Sequence, residues 1–230
     1  MTFDDFVKLI DAIAKLLSVV AWPLLVAFFI VRFGPALKGF FERMGELSLK
    51  GPGFEASAKT KQTEVAAALA AAETSKTSTT RSAPNASAAA REAAEIVSEV
   101  VTPNALRKTG RATLLWVDDR PDNNIYERQS IEALGARFVL ATSTDEALEK
   151  IKAQHFDAII SDMGRPPDSR AGYTLLDQLR ASGNSTPFVI YAASNSPEYV
   201  AEAKRHGALG CTNRAGELLS YVISALQGTR

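Results

Sequence analysis

Three aspartates stand where apolar runs end. Asp118 and Asp119 follow the run 113–117, and Asp162 follows the run 157–161. Carboxylates brought to one rim repel, so a site built from them needs a cation or a raised pKa. One cysteine, Cys211, and two histidines, His155 and His206, cannot make a Cys/His zinc set, so any metal here is held by oxygen. Magnesium fits: a hard octahedral ion takes one or two carboxylates, a carbonyl and several waters, then bridges to phosphate. An aspartate beside such an ion can act as a nucleophile toward a phosphoryl group.

An alternation of short apolar runs and amphipathic helical patterns must position these side chains. The runs are 113–117, 136–141, 157–161, 188–192 and 208–211, and the helical patterns are 123–134, 144–153, 172–182, 197–206 and 215–226. Strand–helix units of this size predict an α/β fold with a five-stranded, doubly wound parallel sheet, because parallel strands need crossovers that cover both faces. In such sheets the working residues collect at the carboxyl ends of the strands, which is where Asp118, Asp119 and Asp162 fall.

The order and spacing of these features resemble the receiver domain of bacterial two-component response regulators, a flavodoxin-like fold. The resemblance covers 113–226 and rests on WVDD at 116–119, IISD at 159–162, a fourth strand opened by Pro187, and GALGCTNR at 207–214. It implies that Asp162 is the phosphoacceptor. It also implies a magnesium site of Asp118, Asp119, Asp162 and the Gly164 backbone carbonyl, with Asp119 a more direct ligand than Asp118. Counted from Gly207, Arg214 stands where the family carries Lys, which implies a phosphoryl-contacting role with a bidentate fork in place of an ammonium. Elsewhere the chain departs from the family. Ala192 replaces the Thr or Ser that ends the fourth strand, with Ser194 two residues on as a substitute hydroxyl. Cys211 takes the place of the aromatic switch residue, and Ala215 that of the proline after the Lys. The loop 163–172 is longer than the family norm and adds Arg165 and Arg170, which either contact a phosphoryl group or face solvent.

Outside this region the composition changes twice. From Leu16 to Val31 the chain is apolar and uncharged, and 12–33 is long enough to cross a bilayer if Lys15 snorkels; Pro23 is tolerated in lipid. No A-x-A cleavage pattern follows, so 1–35 reads as an uncleaved transmembrane anchor. Asp4, Asp5 and Asp11 precede it, while Arg32, Lys38, Arg43 and Lys50 follow, which predicts a single-pass inner-membrane protein with its receiver in the cytoplasm. Segment 36–59 reads as a short juxtamembrane helix with Phe40 and Phe41 at the interface, then a small hairpin turning at Gly51-Pro-Gly53. Segment 60–110 is an Ala/Ser/Thr-rich linker, with no aromatic residue between Ala56 and Leu115. Helix propensity is strong at 63–73 and 85–101, and the expectation is a partly helical, solvated tether without a core. Its apolar positions, Val65, Leu69, Ile96, Val97, Val100 and Val101, are too few for a sustained coiled coil, though linker or anchor could pair two copies. The domain reading closes with the receiver-like domain at 111–230.

With 26 basic and 26 acidic residues, bulk charge gives a nucleic-acid partner no support. The chain ends soon after the last receiver helix, so no DNA-binding helix-turn-helix is expected and output should pass through a partner protein. His206 reads as a helix-end residue and His155 as part of a polar turn. Cys211 reads as a small buried hydrophobe with a redox role as the alternative, and Trp116 as core. The expected function is a membrane-tethered, non-enzymatic receiver that takes a phosphoryl group on Asp162 from a histidine kinase with Mg2+. The retained aspartates favour that reading. Ala192 and Cys211 favour a pseudo-receiver that binds partners without phosphorylation. A magnesium-dependent phosphohydrolase similar to the haloacid dehalogenase family is the remote alternative, since it wants an acid two residues after the nucleophile, where Gly164 stands.

Overall fold

The structure, a computed structural model, describes residues 52–77 and 86–228. The expected anchor, the juxtamembrane helix and the first arm of the hairpin lie outside the described residues. Among the described residues no helix is long and apolar enough to cross a membrane.

Five strands, β1 (Thr113–Val117), β2 (Arg137–Ala141), β3 (Ala158–Asp162), β4 (Phe188–Tyr191) and β5 (Gly210–Thr212), form one parallel sheet in the order β2-β1-β3-β4-β5. In β1 and β3 the apolar run is buried on both faces, the pattern of a parallel strand covered twice. Side chains therefore alternate between two half-cores. Leu115, Val117, Ile159, Phe188 and Ile190 meet the helices Thr144–Ala153, Ala171–Ala181 and Pro197–Arg205 through Ala147, Leu175, Leu176, Leu179 and Ala203. The alternate positions, among them Leu114, Trp116, Val189 and Tyr191, point the other way, where Ile131, Leu218, Leu219 and Val222 are buried.

Local chemistry sets the boundaries. Ser143 caps Thr144–Ala153: its hydroxyl accepts from the Glu146 amide at 3.1 Å while the Glu146 carboxylate accepts from the Thr142 amide at 2.7 Å, a reciprocal cap. Pro197 opens its helix at the first position, where the missing N–H costs nothing. After that helix Gly207 takes φ 90°, a left-handed turn that only glycine adopts freely, and the chain drops into β5.

Two expectations for the preceding region are corrected. Residues 54–57, read as the second arm of a hairpin, lie inside helix α1 (Pro52–Thr77). Pro52 holds the first helical position, and the Ala-, Lys-, Gln- and Glu-rich sequence that follows favours helix over strand. The linker is also not a solvated tether. With α2 (Ala86–Val100) and α3 (Pro103–Thr109), α1 from Ala56 onward belongs to the same compact unit as the sheet, which runs from Ala56 to Arg230. Val65, Leu69 and Ala72 on α1, and Ala89, Ala93, Val97 and Val101 on or just after α2, are buried. A stripe this small cannot make a core alone. It uses the outer face of the last helix instead, where Ile96 lies over Gly216 so closely that an added Cβ would meet its Cδ1 at 2.5 Å. The remaining helices are α4 (Ile125–Glu132), α5 (Thr144–Ala153), α6 (Ala171–Ala181), α7 (Pro197–Arg205) and α8 (Ala215–Gly228).

Candidate functional site

The sheet register aligns the strand ends. Val117 pairs with Ala141 and Ser161, Asp162 pairs with Tyr191, and Tyr191 pairs with Thr212, so the residues that follow share one rim. Asp118, Asp119 and Asp162 each offer a carboxylate oxygen there, all within 4.8 Å of one another. They line a cleft of about 670 Å³ with Arg120, Asn123, Asn124, Gly164, Pro166, Tyr191, Ala192, Ala193 and Asn213.

The two adjacent aspartates are held differently. Asp118 is 4% exposed and accepts from the Arg120 amide at 2.8 Å, the Asn124 amide group at 2.7 Å and, more distantly, the Trp116 indole at 3.4 Å. Those donors fix its orientation. Asp119 is more open, with only the exposed Arg120 side chain beside it at 3.7 Å. Three carboxylates in a cleft that Gly164 also lines suit a hard divalent cation. Burial raises the Asp162 carboxyl to about 6, with the charge of Asp118 adding to it; the hydrogen bond from the Met163 amide at 2.8 Å acts in the opposite direction.

Arg214 is not brought to this cleft. Its guanidinium pairs with Glu92 on α2 and lies 3.7 Å from Glu217, while the neutral Asn213 lines the cleft. In this arrangement α2 offers the arginine a carboxylate, Glu92, outside the residues that line the cleft. Ala192 does line the cleft and presents only a methyl group. Ser194 does not; its hydroxyl faces the Ser196 amide at 3.4 Å. A second hollow of about 480 Å³ adjoins, sharing Asp162, Gly164, Ala192 and Ala193 and lined further by Tyr173, Tyr199 and Cys211. Small side chains at 192 and 211 leave that space open.

Cys211 is buried, and desolvation pushes its thiol up to about 11, so no reactive thiolate forms at neutral pH. His206 stacks on Tyr173 and bonds Asp177 at 2.6 Å, and His155 is exposed near Asp157; neither reaches the cleft. Arg170 pairs with Glu202 at 2.6 Å. Arg165, by contrast, is buried behind Asp162.

Several contributors had no sequence signal of their own. Asn124 sits in the 3-10 turn Pro121–Asn124 and reaches back to Asp118. Tyr191 donates to Glu127 of α4 at 2.8 Å, and its ring meets Trp116 edge-on at 5.8 Å, closing the floor beneath the carboxylates. A carboxylate buried against a phenolic hydroxyl is invisible to spacing because the two partners are 64 residues apart.

Comparison with known proteins accords with this geometry. Residues 114–215 match the family model of the response regulator receiver domain. The sensor protein EvgS of Escherichia coli (strain K12) is 31% identical over 77 residues, which is 34% of this chain and 6% of that protein. The probable C4-dicarboxylate response regulator DctR of Priestia megaterium is 32% identical over 99 residues, 42% of each chain. The chain thus spans less than half the length of these relatives. Among solved structures, the Francisella response regulator 1452 receiver domain is 25% identical with a TM-score of 0.48, covering 52% of this chain and 100% of that one. Chemotaxis response regulator CheY4 of Vibrio cholerae is 27% identical with a TM-score of 0.43, covering 50% and 98%. Over residues 114–215, then, this chain is similar to the response regulator receiver domains of two-component signalling.

Proposed function

We propose that this chain is a membrane-tethered receiver that accepts a phosphoryl group on Asp162 from a histidine kinase, with Mg2+, and signals by binding a partner protein. The convergence of Asp118, Asp119 and Asp162 at one strand-end rim carries this reading. Asp162 supplies the attacking carboxylate oxygen: a P–O bond to it forms as the donor's bond to phosphorus breaks, and the donor leaves with the electron pair. Its other oxygen is held by the Met163 amide. Asp119, oriented Asp118 and the Gly164 carbonyl would hold the ion, whose chemistry is to neutralise charge on the transferring phosphoryl oxygens. Phosphorylation then adds charge to a rim bordered by the loop 163–170 and by Ala192 and Ala193.

The apolar run 16–31 and the basic residues after it support tethering with the receiver in the cytoplasm. Self-association belongs to the anchor on this reading, since the linker's apolar faces are buried within the chain. A second reading has its own observation. With a methyl group at 192, a thiol at 211 and Arg214 committed to Glu92, the rim lacks the groups that would report a phosphoryl group, which favours a pseudo-receiver.

Beryllofluoride separates the two. Titrated into the full chain with Mg2+ and followed by 19F NMR, it should give bound resonances that vanish in Asp162→Asn and on chelation. No bound resonance at saturating Mg2+ would favour the pseudo-receiver.

A further inference from the structure

The loop after Asp162 buries a full positive charge. Arg165 is 3% exposed, and each hydrogen bond of its guanidinium runs to a neutral oxygen. Nη1 donates to the Ser161 hydroxyl and the Asp162 carbonyl, both at 2.7 Å, and Nη2 to the Thr144 hydroxyl at 3.0 Å and the Ala171 carbonyl at 2.9 Å. Nε is buried with no hydrogen-bond partner. Guanidinium does not deprotonate in proteins, and a buried charge without an ionic partner is costly. Something must offset that cost. Burial presses the Arg165 pKa down, and the charges of Asp162, Asp118, Asp168 and Asp119 press it back up. The 2.7 Å bond to the Asp162 carbonyl anchors the guanidinium to the residue that carries one of the three clustered carboxylates, so that cluster is the counter-charge the fold sets beside it. Other described cations are placed differently: Arg214 is turned to Glu92, Arg128 lies over the Trp116 ring and bonds the Asn124 carbonyl, and the Arg120 side chain is 74% exposed, where water and salt screen it.

We propose that Arg165 is a positioning residue and the fixed counter-cation of the acidic site, pinning the Ser161–Asp162 strand end from inside the fold while its charge offsets the three aspartates. The inference rests on the magnesium-assisted phosphoacceptor reading. Three carboxylates and one guanidinium leave two net negative charges, which one divalent ion neutralises. The guanidinium opposes the divalent cation and favours the anionic phosphoryl group, so its two effects have opposite signs. A purely structural arginine would move both in the same direction.

The test is calorimetric titration of Mg2+, then of beryllofluoride, into the full chain and its variants. Arg165→Gln should bind Mg2+ about three- to tenfold more tightly, because a like charge nearby is gone, and beryllofluoride more weakly by a similar factor. Arg165→Lys should resemble the parent in both. Weaker Mg2+ binding in Arg165→Gln, or a Lys variant that behaves like the Gln variant, would overturn the proposal. If Arg165→Gln does not fold, Thr144→Ala and Ser161→Ala remove two acceptors and keep the charge. Mg2+ affinity within about twofold of the parent supports the counter-cation in that case, and a larger fall overturns it. Parent protein that binds Mg2+ but no beryllofluoride would refute the phosphoacceptor reading, leaving the order of Mg2+ affinities to decide the role of Arg165. A parent that binds no Mg2+ overturns both.

Discussion

Asp162 is where the proposed chemistry and the stability of this chain oppose each other. Burial and the charge of Asp118 raise its carboxyl from 3.8 to about 6, so the fold prefers the protonated acid. That preference contributes stability which is fully present below the unfolded pKa and is lost as pH rises through about 6. At pH 7 without metal the group is therefore a liability, and Asp162→Asn should raise the melting temperature by about 2–4 °C. The gain should shrink as pH falls to 4, and Mg2+ should remove it by neutralising Asp118, Asp119 and Asp162 together. Calorimetric melts across pH 4–8 check the sign; a mutant less stable than the parent at pH 7 would contradict it. Cys211 makes a second residue-level prediction. Buried, with its thiol near 11, it should react with a maleimide only after denaturation. The three aspartates were legible in the sequence because each ends an apolar run, and strand ends in a parallel sheet share one rim. The direction of Arg214 was not. Counting from Gly207 gives its place in the chain, but Glu92, which turns it, lies 122 residues away.

Elements position the rim through two close approaches. At the start of α6, Gly172 donates its amide to the Met163 carbonyl at 2.8 Å, and a Cβ there would meet the Asp162 carbonyl oxygen at 2.9 Å and the Met163 Cα at 3.1 Å. Those neighbours are backbone and cannot rotate aside. Gly172→Ala should cost about 1–3 kcal/mol in a denaturant titration and weaken Mg2+ binding, since the strain falls on the loop that carries Gly164. The other approach is that of α1 and α2 to α8, where Glu73 accepts from the Ala215 amide at 3.1 Å and Glu92 holds Arg214. A Glu73→Gln, Glu92→Gln double variant should speed hydrogen exchange across 86–100 and leave the strands unchanged; equal exchange throughout would show that the apolar stripe alone holds these helices. Alternation of apolar runs made the sheet and its helices legible to within a residue or two. The linker's packing was not, because a stripe of Ala and Val looks the same whether it faces water or the smooth flank made by Gly216.

At the scale of the whole molecule, the helices between Ala56 and Thr109 belong to the compact unit that contains the sheet. The apolar run 16–31 with its basic C-terminal flank predicts that a protease added to intact bacterial cells leaves 113–230 whole, and that permeabilised cells do not. Digestion in intact cells would place the receiver away from any cytoplasmic kinase. Covalent chemistry at one carboxylate underlies the proposed function. The full chain, incubated with Mg2+ and a small phosphodonor such as phosphoramidate, should gain the mass of one phosphoryl group. The adduct should be hydroxylamine-labile, map to Asp162, and be absent from Asp162→Asn and from samples with chelator. A mass that stays unchanged with Mg2+ bound, or an adduct that persists in Asp162→Asn, would contradict it.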